Sequence, residues 1–208
     1  MEEVFAIYNE KGKIIGAATR AEAHKKGLWH MVVHCWVVFR EEQNTWIYFQ
    51  QRADSKKDFP GFYDIASTGH VDASELHAAA VVREASEEIG MDVSGERLHY
   101  LGETREEFCK EDFLDREIVQ IYLYDASETP VFAPGEEVSR MVQVSREEFE
   151  KKVLKGEPQI TAYTMQGKKV TILEEEWCRH QGEYKKWVLP WLKNHKKEGG
   201  EQYELVLQ

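Results

Sequence analysis

Residues 69–91, GHVDASELHAAAVVREASEEIGM, constrain this chain more than any other stretch. The pattern predicts a helix over residues 74–89. Ala78, Val82, Ala85 and Ile89 recur at four, three and four residues, a stripe suited to packing on a sheet. Glu84, Glu87 and Glu88 stand at i, i+3 and i+4 and are expected on about 100° of the opposite side. Like charges held so close repel one another, so the face needs a cation. Oxygen-only ligands point to a hard divalent ion, Mg²⁺ or Mn²⁺, rather than zinc.

Length and charge set the surroundings. The chain has 208 residues, 42% of them hydrophobic, enough for one well-filled core without a second composition regime. A single domain is expected over residues 1–196: a hairpin segment (1–27), a core (28–155), and a C-terminal hairpin and helix (156–196), with a tail at 197–208. A net charge of -11 opposes a nucleic-acid polymer as partner, since phosphate contacts need Lys and Arg. A small phosphorylated substrate stays compatible, because a metal and a few local cations offset its charge. Cys35, Cys109 and Cys178 show neither metal-ligand spacing nor a disulfide framework, which fits a reducing, cytoplasmic setting. The N-terminus lacks a signal-peptide pattern, and no apolar run reaches the ~20 residues of a membrane span.

Taken in order, residues 4–19 predict a hairpin about Asn9 and Gly12, and residues 20–27 a short helix ended by Gly27. Residues 29–39, WHMVVHCWVVF, are almost continuously apolar and predict a central strand, paired with residues 46–52. A loop over 54–64 leads to the acidic stretch. Strands are expected at 98–108 and 117–125 with a charged connection over 109–116, then a loop over 130–137 and a strand over 140–144. Ser145 with Glu148 three residues on predicts a helix start, running to about 154. Residues 161–173 predict a hairpin and residues 174–195 a long terminal helix interrupted near Pro190. Its Trp177, Tyr184, Trp187, Trp191 and Leu192 are expected to pack on the core. This order suits a mixed sheet between helical layers.

Gly69, Glu75, Arg83, Glu84, Glu87, Glu88 and Gly90 also fall on the pattern G-x5-E-x7-R-E-U-x-E-E-x-G-U, with U a bulky aliphatic residue. The stretch therefore resembles the Nudix box; Ala85 is smaller than the family prefers, which touches packing only. The resemblance implies the Nudix fold, an α/β class with a mixed β-sheet sandwiched between α-helices. It implies metal-assisted hydrolysis of a diphosphate linkage in a small nucleotide or other diphosphate compound. Glu87 and Glu88 are implied as metal ligands with the Gly69 carbonyl, and Glu84 as a further ligand or general base. Glu75 and Arg83 are implied to pair and, with Gly90, to hold the loop-helix-loop.

A narrower likeness covers residues 24–137. Arg52, Lys56, Pro60, Gly61, Gly69, His70 and the run Asp115, Arg116, Glu117 resemble the type I isopentenyl diphosphate isomerases and the Nudix hydrolases nearest them. The likeness implies a metal among His24, His30, His70, Asp115 and Glu117, with Arg52, Lys56 and His70 facing the substrate. Glu117 is preferred over Glu136 and Glu137 as the distal carboxylate, acting as ligand or base. Two departures count against isomerisation: Thr68 stands where the isomerases carry a catalytic cysteine, and the gap from His24 to His30 is one residue short of their pattern. The Nudix box is complete here and degraded in the isomerases, which favours hydrolysis. His34 and Cys35 read as core groups. A ligand-sensing module without catalysis is the third reading, opposed by the intact glutamates. Substrate identity stays open, as does oligomeric state, with a homodimer among the options.

Overall fold

The computed structural model describes residues 3–41, 44–110, 113–180 and 182–194; the expected tail at 197–208 lies outside them. The apolar run forms the strand that organises the sheet, β3 (Trp29–Arg40), buried along most of its length. Along one edge β3 pairs in parallel with β8 (Phe113–Ala126), from His30 opposite Glu117 to Phe39 opposite Ala126. Three antiparallel neighbours share its other edge: β1 (Val4–Tyr8), β6 (Ser67–His70) and β4 (Thr45–Arg52). Hydrogen bonding continues through β9 (Val138–Ser145), β10 (Gln159–Thr164) and β11 (Lys169–Leu173), and through β2 (Ile14–Thr19) at the opposite end. β5 (Tyr63–Ile65) adds to β4, and β7 (Leu98–Lys110) to β8. The result is one mixed sheet of eleven strands.

Helices cover both faces. On one face α2 (His77–Ile89) buries Ala80, Val81, Ala85 and Ile89 against Val33, Cys35 and Tyr48. On the other, Trp36, Phe49 and Val142 pack with Phe149 of α3 (Arg146–Glu150) and with Leu189, Trp191 and Leu192 of α4 (Leu189–Asn194). The expected sandwich is the architecture found. The short helix α1 (Arg20–Lys26) ends in left-handed Gly27.

Three expectations change. First, α2 starts at His77 rather than Ser74, and Leu76 occupies the cap position without a side-chain bond. Residues 72–75 are drawn into a turn instead: the Glu75 N–H donates to the Asp72 carbonyl, and the Glu75 carboxylate accepts from the Asp72 N–H. The buried stripe accordingly runs through Ala80, Val81, Ala85 and Ile89; Ala78 is exposed and Glu88 joins the buried face. Second, the connection over 109–116 is mostly strand, because β7 and β8 continue towards their turn with Cys109 opposite Leu114. Third, residues 174–195 do not form one helix, and the break falls before Tyr184 rather than near Pro190, which sits inside α4. A 3-10 turn (Glu174–Glu176) leads into an extended stretch in which Trp177 bridges to Tyr63, and helix resumes only at Tyr184. Left-handed Gly182 (φ 82°) makes that break possible. Residue 195 lies outside the described residues.

Ser145 accepts from the Glu148 N–H at 3.2 Å, as its spacing predicts. α3 then widens into a π-type turn (Lys151–Lys155). No helix among the described residues is long and apolar enough to cross a membrane.

The end of α2 is fixed by close approach. Gly90 sits at φ 65°, and a Cβ there would lie 2.6 Å from the Ala133 carbonyl oxygen. The following loop closes the helix, with the Ala133 N–H on the Ile89 carbonyl and the Gly135 N–H on that of Glu88. Gly90→Ala is expected to lower stability by about 1–3 kcal/mol through strain and displacement of this loop. Urea unfolding checks it, and an unchanged midpoint would contradict the close approach.

Candidate active site

The division of β3 between neighbours brings chemistry from distant parts of the chain to one end of the sheet. Val33 and Val32 face Gly69 and His70 on β6, while His30 faces Glu117 on β8. Arg52 closes β4 beside them. A cavity of about 640 Å³ opens there, lined by His24, Arg52, Lys56, Thr68, Gly69, His70, Glu84, Glu88, Asp115 and Glu117. Glu75, Arg83 and Gly90 stand behind its wall.

Arg83 ties the acidic loop and helix together. Its Nε and Nη2 donate to the two Glu75 oxygens at 3.0 and 2.8 Å, and Nη2 also donates to the His70 carbonyl at 3.0 Å. The remaining nitrogen, Nη1, donates to Glu84 at 2.8 Å and Glu87 at 3.2 Å. Glu75 is thus pulled off the helix to grip Arg83, the physical reason that α2 begins late.

The three box glutamates do not share one environment. Glu88 is buried; its Oε2 accepts from the Thr68 N–H at 2.8 Å and Gln50 Nε2 at 3.2 Å. Burial pushes its carboxyl up to about 8 despite these donors. Glu84 is pushed by burial to about 7, with Arg83 pulling the other way. Glu87 is exposed, its side chain 61% accessible, and meets Arg83 outside the cavity lining. Gly69 is held against Glu84 so closely that a Cβ would fall 2.0 Å from the carboxyl carbon. No side chain fits between that strand and the carboxylate.

A second group lies in the same cavity. Ring nitrogens of His24, His30 and His70 lie within 4.8 Å of one another, as do a His30 nitrogen and carboxylate oxygens of Asp115 and Glu117. His30 and His24 approach the same Asp115 oxygen at 3.4 and 3.5 Å. The buried His30 Nε2, His70 Nε2 and Asp115 Oδ1 make no hydrogen bond among the described residues. Burial holds the His24 imidazole down to about 4 and keeps His30 and His70 below their ordinary values, so all three are neutral at pH 7. Burial and Asp115 push Glu117 well above the carboxylate range. Converging neutral imidazoles and unbalanced carboxylates fit a divalent cation. Phe5 stacks behind His70 and His30, at 4.4 and 5.2 Å between ring centres.

Two of the cavity cations, Arg52 and Lys56, are tethered. Arg52 donates to the Asp58 carbonyl at 3.0 and 3.2 Å and meets Asp64 at 3.4 Å, while Lys56 meets Glu137 at 2.5 Å. Sequence reasoning missed the adjoining wall. His180 bonds Asp64 at 2.8 Å and Glu106 at 3.1 Å. Burial opposes its charge, but the two carboxylates hold its imidazolium well above the ordinary range. No local pattern marks His180, since its partners lie 116 and 74 residues away.

The arrangement defines a class, and comparison places the chain within it. The NUDIX domain family matches residues 28–164, and the chain belongs to that family. An uncharacterized Nudix hydrolase of Clostridium acetobutylicum is 40% identical over 123 residues, 59% of this chain and 59% of its own length. Nudix hydrolase 3 of Arabidopsis thaliana is 29% identical over 173 residues, 80% of this chain and 22% of that protein. The chain thus spans less than two thirds of the length of these relatives. Isopentenyl-diphosphate Delta-isomerase 1 of Photorhabdus laumondii subsp. laumondii is 26% identical over 138 residues, 65% of this chain and 76% of its own. A Deinococcus radiodurans crystal structure shares the fold, with a TM-score of 0.55 at 20% identity over 74% of this chain and 90% of that one.

The carboxyls give a signed pH dependence. Glu84, Glu88 and Glu117 bind protons more tightly folded than unfolded. Stability of the metal-free protein therefore falls as pH rises between about 7 and 8.5. In that window His24, His30 and His70 are neutral in both states and add little slope. Thermal unfolding after chelation is expected to show a falling midpoint, with Mg²⁺ restoring more at pH 8.5 than at pH 7. A midpoint that rises over this window would contradict the burial of unbalanced carboxyls.

Proposed function

We propose that the chain is a divalent-metal-dependent hydrolase of a diphosphate linkage in a small nucleotide or other diphosphate compound. The observation that carries this reading is the buried Glu88 and the half-buried Glu84, the latter packed against Gly69, together on the wall of a cavity. Gly69, Glu84, Glu87 and Glu88 would hold Mg²⁺ or Mn²⁺, with Glu117 as the distal carboxylate. A bound ion offsets charge on the diphosphate and acidifies water. Arg83 bridges Glu84 and Glu87 with one cationic nitrogen. Glu87, exposed and paired with Arg83 outside the cavity lining, would have to turn from Arg83 to join the ligands.

The chain's own groups divide the work. Glu84, half-buried and with raised proton affinity, takes the proton of the attacking water; Glu117 is the other candidate for this role. Arg52 and Lys56 face the diphosphate from the opposite wall, each held in place by a carboxylate. Glu75, Arg83 and Gly90 keep the loop and helix in register. The acidic surface favours a small substrate over a nucleic-acid polymer. Free Cys35, Cys109 and Cys178 support a cytoplasmic setting.

Isomerisation of isopentenyl diphosphate is the second reading, favoured by the His24, His30, His70, Asp115 and Glu117 grouping and by the isomerase likeness. Thr68 opposes it: a hydroxyl replaces the acidic thiol beside Gly69, and its N–H serves Glu88. A panel of diphosphate compounds with Mg²⁺ or Mn²⁺, read out as phosphate products, separates the possibilities. Glu88→Gln is expected to lower kcat/KM by about a hundredfold or more. Full activity in that variant rejects the site assignment, and measurable interconversion of isopentenyl diphosphate reverses the ranking. Nucleotide binding without turnover under either metal would favour the ligand-sensing reading.

A further inference from the structure

Residues 174–183 lie beyond the part of the chain matched to the family, yet they build one wall of the cavity through Trp177, Cys178, Arg179 and His180. The segment is fastened on both sides of Arg179. Before it, the Cys178 N–H donates to the Tyr63 carbonyl at 2.9 Å, and Trp177 packs edge-on against Phe49 at 4.8 Å between ring centres. After it, His180 bonds Asp64 and Glu106, and fully buried Glu183 accepts from His34 at 2.8 Å and from Trp36 Nε1. These buried polar bonds fix where the wall stands.

Arg179 is the exception to the tethering seen elsewhere. Arg20, Arg52 and Lys56, which also line the cavity, are paired with Glu3, Asp64 and Glu137. Arg179 is exposed on the wall and makes no ion pair or hydrogen bond among the described residues. An unengaged guanidinium, on a backbone pinned at both sides and facing a metal-ligand-rich cavity, is a ready partner for phosphate oxygens that the metal leaves unneutralised.

We propose that Arg179 is a substrate-binding residue that receives the outer phosphate of a bound diphosphate compound, on a wall the C-terminal segment adds to the family domain. This rests on the hydrolase reading for the substrate's class but is tested without turnover. The probe is methylenediphosphonate, a non-hydrolysable diphosphate, titrated with Mg²⁺ by calorimetry into the full chain and its Arg179→Ala and Arg179→Lys variants. Affinity is expected to fall about tenfold in Arg179→Ala and to recover in part in Arg179→Lys. Melting temperatures should stay unchanged, because the side chain bonds no other group among the described residues. Equal affinity in Arg179→Ala, or no binding by the unaltered chain, overturns the proposal. Hydrolysis that persists alongside equal affinity leaves the functional reading intact and removes this assignment alone. Arg179-dependent binding without hydrolysis of any diphosphate tested does the reverse.

Discussion

The structure depends on burying Glu88 at the contact of α2 with the sheet. An isolated carboxylate in such a place costs several kcal/mol, of the order that decides whether a domain is stable. Two donors, the Thr68 N–H and Gln50, offset only part of this, so the group holds its proton up to about pH 8. Replacing Glu88 with an apolar residue of similar size would remove the penalty. The surrounding geometry makes sense when the cost supports a cation site. Gly69 leaves no side-chain volume in front of Glu84, and Arg83 holds the loop against the helix through Glu75 and the His70 carbonyl.

Topology supplies the rest. A strand paired in parallel on one edge and divided among three partners on the other gathers residues that no short motif could hold together. β1 supplies Phe5 behind the histidines, β6 supplies Gly69 and His70, and β8 supplies Asp115 and Glu117. Glu84 and Glu88 of α2 and the histidines His24 and His70 thereby open into one cavity, with His30 buried behind. Their chemistry differs: oxygen ligands suit a hard ion, and imidazoles extend the range to softer ones.

Much of this was legible in the residues. The run 29–39 announced the central strand, and the seven matching positions of residues 69–91 named the family and the fold. Local patterns also placed the hairpins and the Ser145 cap. Other features were invisible because they depend on distant partners. Periodicity assigned Ala78 to the packed stripe and all three glutamates to one exposed side. Tertiary packing instead rotated the buried face through Ala80 and Val81 and took Glu88 inward. The terminal segment reads as a helix in isolation, yet its hydrogen bonds go to Tyr63, Asp64, Glu106 and His34, which hold it extended.

The central claim is that buried Glu88, with half-buried Glu84 held against Gly69, creates a cation site. Anomalous diffraction from crystals equilibrated with Mn²⁺ tests it most directly. The account requires a peak within coordination distance of the Gly69 carbonyl and of the Glu84 and Glu88 carboxylates, reduced when Glu88 is changed to Gln. A cavity with no anomalous peak at those groups, in crystals whose other Mn²⁺ positions are filled, would contradict it.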